Sequence, residues 1–163
     1  MQQDDVATMN DNAITSPPAD FEAVGSGLGF IDTIQPFYRR IRGTELSFGL
    51  VVQKHHCNRM DMCHGAVLMT LADITAVSGI SLLRGMEEGT PTVNLTMNFV
   101  SSARAGDWLQ ADVEKATLKR RLAFCGGTIY STRGVVAHFD GVFYLPDEHL
   151  WKGKKMRGKL LED

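Results

Sequence analysis

The stretch His64-Gly65-Ala66-Val67-Leu68-Met69-Thr70-Leu71-Ala72-Asp73-Ile74-Thr75-Ala76-Val77-Ser78-Gly79-Ile80-Ser81-Leu82-Leu83 decides the fold. It is apolar nearly all round, a pattern that predicts one long helix buried inside the molecule rather than laid on its surface. Asp73 is the only formal charge within it. A buried carboxylate without a partner is costly, so Asp73 must be paired, hydrogen-bonded or kept for chemistry.

The run is long enough to cross a bilayer, but a central Asp costs roughly 2.5–3.5 kcal/mol on insertion scales. Thr70, Thr75, Ser78, Gly79 and Ser81 break it further, so a soluble core helix is the expectation. The opening Met1-Gln2-Gln3-Asp4-Asp5 has neither the basic nor the apolar region of a secretory signal. Cys57, Cys63 and Cys125 form an odd set without framework spacing, which fits a reducing cytoplasm. At 163 residues the chain suits one domain, and 17 basic against 19 acidic side chains give no electrostatic bias toward nucleic acid or a membrane surface.

Upstream of the helix, residues 1–19 are polar and end in Ser16-Pro17-Pro18, a tail by composition. Asp20 is placed to cap a short helix carrying Phe21 and Val24. Phe30 to Ile41 and Thr44 to Val52 read as two strands meeting at Arg42-Gly43, and Lys54 to Cys63 as a polar loop feeding the helix. Downstream, Arg84 to Gly89 is a loop. Thr92 to Ala103 then alternates, with Val93, Leu95, Met97 and Phe99 on a core face. Trp108 to Lys119, Leu122 to Thr132 and Val135 to Leu145 complete the strands, the last two joined at Arg133-Gly134. Residues 147–163 form a charged tail in which Lys152, Lys154, Lys155, Arg157 and Lys159 face Asp147, Glu148, Glu162 and Asp163. The domain proper is thus 20–146, an α+β fold: an antiparallel sheet of about six strands, the last four in a meander, wrapped around one long central helix.

His56-Cys57-Asn58-Arg59-Met60-Asp61-Met62-Cys63-His64-Gly65-Ala66, followed by Leu71-Ala72-Asp73, resembles the hotdog-fold acyl-CoA thioesterases, in the branch of the phenylacetate-degradation thioesterases and thioesterase superfamily member 2. That family carries an Asn in the loop, His-Gly-Gly opening the helix, and an Asp nine residues after the His. Here these are Asn58, His64-Gly65-Ala66 and Asp73, with Ala66 replacing the second glycine. Pro36-Phe37-Tyr38 and Asn98 to Asp107 also match family elements, so the resemblance spans about residues 30 to 145. It implies hydrolysis of an acyl-CoA to the free acid and coenzyme A, without a cofactor.

Thioester hydrolysis needs a group to activate water or attack the carbonyl, and donors for the developing oxyanion. Asp73, the only acidic residue between Asp61 and Glu87, is the candidate general base or nucleophile. Gly65 sits where helix N–H groups are unpaired and the macrodipole is positive, and the resemblance makes its N–H the oxyanion donor. Nine helical residues amount to about 2.5 turns and about 13.5 Å, so His64 and Asp73 cannot easily meet at one carbonyl. A site shared across a two-fold dimer follows. The resemblance divides it the same way, with Asn58, His64 and Gly65 from one chain and Asp73 with Thr92 from its partner. Asn58 either orients water or the carbonyl or serves as a turn residue. Thr92 stands in place of a family serine that holds the water. His64 lies near the thioester or steadies its loop.

Phosphorylated coenzyme A calls for basic groups at the site mouth. Lys119-Arg120-Arg121 and Arg104 fit that need, and the resemblance adds Ser101. His55-His56-Cys57 and Cys63-His64 lack zinc-ligand spacing, so no metal site is expected. The alternatives are a non-catalytic acyl-CoA-binding module and a hotdog dehydratase or hydratase. Acyl-chain identity, and dimer against dimer of dimers, stay open at this level.

Overall fold

The computed structural model describes residues 16–85 and 89–146. The expected helix runs Gly65–Arg84 (α1). His64 is its N-cap in extended conformation, and its Nδ1 accepts the Ala66 N–H at 3.0 Å. The helix ends where Gly85 turns left-handed at φ 66°, its N–H returning to the carbonyls of Leu82 and Ser81. Its length and apolarity are those of a membrane span. Val67, Leu68, Leu71, Ala72, Ile74, Thr75, Ala76, Ser78 and Ile80 are instead buried against the sheet.

That sheet has seven antiparallel strands: β1 (Glu22–Ala23), β2 (Tyr38–Arg42), β3 (Glu45–Val51), β4 (Thr92–Phe99), β5 (Trp108–Leu118), β6 (Leu122–Ser131) and β7 (Gly134–Tyr144), in the order β1-β2-β3-β5-β6-β7-β4. Six are substantial, and β1 is a two-residue addition at one edge. Phe37, Phe48, Leu50, Leu109, Ile129, Phe139 and Phe143 meet the helix in a fully buried core. Each such side chain stabilises the fold by about 1.5–3 kcal/mol relative to exposure.

Four local expectations are corrected. Phe30 to Ile41 is not one strand: Gly29–Ile34 forms a 3-10 helix, and pairing begins only past Pro36, which has no N–H for a ladder. Asp20 caps no helix, because its carboxylate bridges Arg40 at 3.2 Å and Arg42 at 2.6 Å on β2. The last four strands are not a simple meander. β5, β6 and β7 are, but β4 pairs with β7 at the far edge, and the chain from Val100 to Asp107 crosses back to place β5 beside β3. Backbone bonds from Cys63 N–H to Ala103 and from Val52 N–H to Asp107 tie that crossing beneath the helix start. Finally, Val93 and Phe99 are not core residues: at 61% and 54% exposure they stand open on the edge strand. The tail assignments at 1–15 and 147–163, and Met86 to Glu88 of the loop after α1, lie outside the described residues.

Candidate active site

Asp73 is half-buried, which corrects the reading of α1 as buried all round. The helix keeps one open stripe, Ala66, Met69, Thr70, Asp73 and Val77, at the i, i+3, i+4 spacing of a single face. Edge strand β4 runs beside that stripe, and from its first residue the Thr92 hydroxyl donates to Asp73 Oδ1 at 2.6 Å. A carboxylate so held keeps its second oxygen for a proton or an electrophile.

The helix start is built differently. Asn58 Oδ1 accepts the N–H groups of Met60 at 2.8 Å and Met62 at 3.4 Å, holding a tight turn in which Asp61 takes φ 55°. Asn58 is therefore the residue that shapes the turn. The hairpin it closes delivers His64 to the cap position, where the imidazole satisfies Ala66 N–H and the His64 carbonyl takes Val67 N–H at 2.9 Å. Among the described residues the Gly65 N–H has no partner, so it is the helix donor left for an incoming oxygen. The Phe99 ring closes over this end: a Cβ on Gly65 would stand 3.3 Å from its Cζ.

The ten expected site residues fall into two groups at opposite ends of β4. Asn58, His64 and Gly65 lie with Phe99, and Ser101 and Arg104 join them. Arg104 bridges to Met62, while the Ser101 hydroxyl donates to the Val135 carbonyl at 2.7 Å. Asp73 and Thr92 lie at the other end. Thr92 pairs with Phe143, which pairs with Ala123, so the β5–β6 turn carrying Lys119, Arg120 and Arg121 is on that side. Arg121 Nη1 donates to Tyr144 Oη at 3.2 Å, and Lys119 and Arg120 are exposed.

Phe99 beside Gly65, Val93 next to Thr92 and Met69 on the open stripe of α1 were not expected at the site. Their apolar periodicity is indistinguishable from that of core residues. His56 takes no part: it is fully buried, with Nδ1 accepting Gln53 N–H at 3.0 Å and Nε2 donating to the Ile34 carbonyl at 3.1 Å. Burial, with the neighbouring His55 ring adding to it, lowers its pKa and keeps it neutral. Among the described residues no three His, Cys, Asp or Glu side chains converge as a metal site.

Residues 60–138 match the family model described as Thioesterase superfamily. The Pseudomonas aeruginosa protein named "Putative esterase PA0474" is 32% identical over 130 residues, covering 79% of this chain and 97% of that protein. The chain belongs to the thioesterase superfamily. Solved structures agree on the superfamily's hotdog fold. Zebrafish thioesterase superfamily member 2 aligns at TM-score 0.61 with 21% identity, over 72% of this chain and 87% of that one. A Streptococcus pneumoniae thioesterase protein crystallised with coenzyme A aligns at 0.57 with 18% identity, over 68% and 85%. As a superfamily member the chain is a thioester hydrolase, and Met60 to His138 brackets both groups of site residues except Asn58.

Proposed function

We propose that this protein hydrolyses acyl-CoA thioesters at a site completed by two copies of the chain, working in a reducing cytoplasm. The observation that carries this reading is the separation within one chain: Asp73 is held by Thr92 at one end of β4, and the free Gly65 N–H lies at the other. A two-fold axis through β4 sets one copy's helix start against its partner's Asp73, and sets Ser101 and Arg104 against the partner's basic turn. The exposed Val93, Phe99 and Met69 supply the apolar contact.

In this arrangement the thioester oxygen receives the Gly65 N–H, and charge developing there is met by the positive end of α1. Asp73 either takes a proton from the water that attacks the carbonyl carbon or attacks that carbon itself. The C–S bond then breaks, the electron pair goes to sulfur, and coenzyme A leaves as the thiol once protonated; on the nucleophilic route the mixed anhydride left on Asp73 is hydrolysed by water, which frees the acid and restores the carboxylate. The coenzyme A held by the Streptococcus pneumoniae relative supports the substrate class. The test is a thiol-release screen over aryl- and alkyl-CoA esters of graded length, with wild type beside Asp73→Asn. Wild type turns over a subset of the panel, and the variant loses about 10²–10⁴-fold in kcat while still binding substrate. A wild type silent across the whole panel, or a variant as active as wild type, overturns the reading.

A further inference from the structure

Two of the three cysteines stand directly opposite each other. Cys57 and Cys63 form an antiparallel bridge that closes the hairpin around Asn58. The backbone bonds on either side are Asn58 N–H to Met62 O at 2.8 Å and His64 N–H to His56 O at 2.8 Å. The cysteines thus occupy a non-hydrogen-bonded position, where facing Cα atoms lie about 4.5 Å apart and both side chains leave the same face of the ribbon. That separation is within the span of a disulfide. Both thiols are free, each resting on a carbonyl: Cys57 Sγ on Gln53 at 3.6 Å and Cys63 Sγ on His64 at 4.0 Å.

We infer that Cys57 and Cys63 are a reversible redox pair that closes to a cross-strand disulfide on exposure to a low-molecular-weight disulfide, locking the hairpin that carries Asn58 and delivers His64 and Gly65. The inference stands on the hairpin's register and does not need the hydrolytic reading. Exposure sets the order of events. Cys57 is half-buried and reachable, whereas Cys63 is buried, which pushes its thiol up to about 12. The Cys57 thiolate attacks one sulfur of the reagent disulfide, forming a mixed disulfide and expelling a first thiolate. Cys63, losing its proton as it attacks, then displaces the second reagent thiol from Cys57 sulfur. The protein loses two hydrogens and the reagent is reduced to two thiols. The slow second step is favoured by a partner already in place. Disulfides of this transient kind are the ones a reducing compartment allows.

The native protein, incubated with oxidised glutathione, quenched in acid and denatured in a maleimide, decides the matter by mass. One thiol of three remains, the mass falls by two hydrogens before labelling, and dithiothreitol restores all three. Trypsin cuts after Arg59, between the two cysteines, so the cross-link appears as two joined peptides. Cys63→Ser stops at the glutathione adduct on Cys57, Cys57→Ser takes up none, and Cys125→Ser behaves as wild type. Wild type that keeps three thiols, or that accumulates the adduct as Cys63→Ser does, overturns the inference. So does a cross-link that includes Cys125.

Discussion

His56 shows how a chemistry-bearing residue can be wholly structural. Its ring accepts from Gln53 and donates to Ile34, an arrangement open only to the neutral form, and burial lowers its pKa accordingly. The sign follows. Above about pH 6.5, the ordinary histidine value, the ring is neutral in both states and its stabilisation is whole. As pH falls, the unfolded chain takes up a proton that the folded ring resists, and the contribution is lost as pH drops through the lowered folded value. His56→Gln is expected to lose about 1–3 kcal/mol at pH 7.5, with a Tm gap to wild type that narrows by pH 5. A gap independent of pH would place the effect in packing. Asp73 is the converse case. Its charge was conspicuous in an apolar run, but its contact with Thr92, nineteen residues away, follows from no local pattern and was expected only through the family resemblance.

At the scale of elements, α1 and strands β3 to β7 were legible because helical and alternating periods are local. The place of β4 was not: alternation says which residues share a face, and only the crossing from Val100 to Asp107 decides that this face sits at an open edge. Gly79 shows a similar limit. In mid-helix a glycine costs about 1 kcal/mol against alanine, so local propensity favours replacing it. The structure reverses that advice, since a Cβ at Gly79 would lie 2.8 Å from Val113 Cγ2, beside the register shift of β5 between Val113 and Lys115. Gly79→Ala is therefore expected to destabilise by about 1–3 kcal/mol, as overpacking does, measured by urea unfolding with an unchanged m value. A stabilised variant would mean that β5 yields there at little cost.

At the scale of the whole molecule, the proposed two-chain site draws its halves from opposite ends of β4, and the two halves can be inactivated separately. Asp73→Asn removes the proposed base or nucleophile. Gly65→Pro removes the helix-start N–H at the cost of a tight Cβ contact, 3.3 Å from Phe99 Cζ, that the ring must ease: proline suits the first position of a helix, and His64 before it already holds the extended conformation at ψ 136° that proline requires. The proposed cost of the lost donor is about 10²–10³-fold in kcat. Each variant alone is then nearly inactive. Unfolded together and refolded at equal concentration, they pair at random, half of the dimers are mixed, and each mixed dimer holds one intact site and one doubly damaged site. Activity returns to about a quarter of wild type. If both groups act within one chain, no mixture contains an intact site and activity stays at the level of the parents. Size-exclusion chromatography on the same samples separates failure to pair from failure to complement. Val93→Lys, which puts a charge on the exposed edge, should abolish the recovery by preventing association.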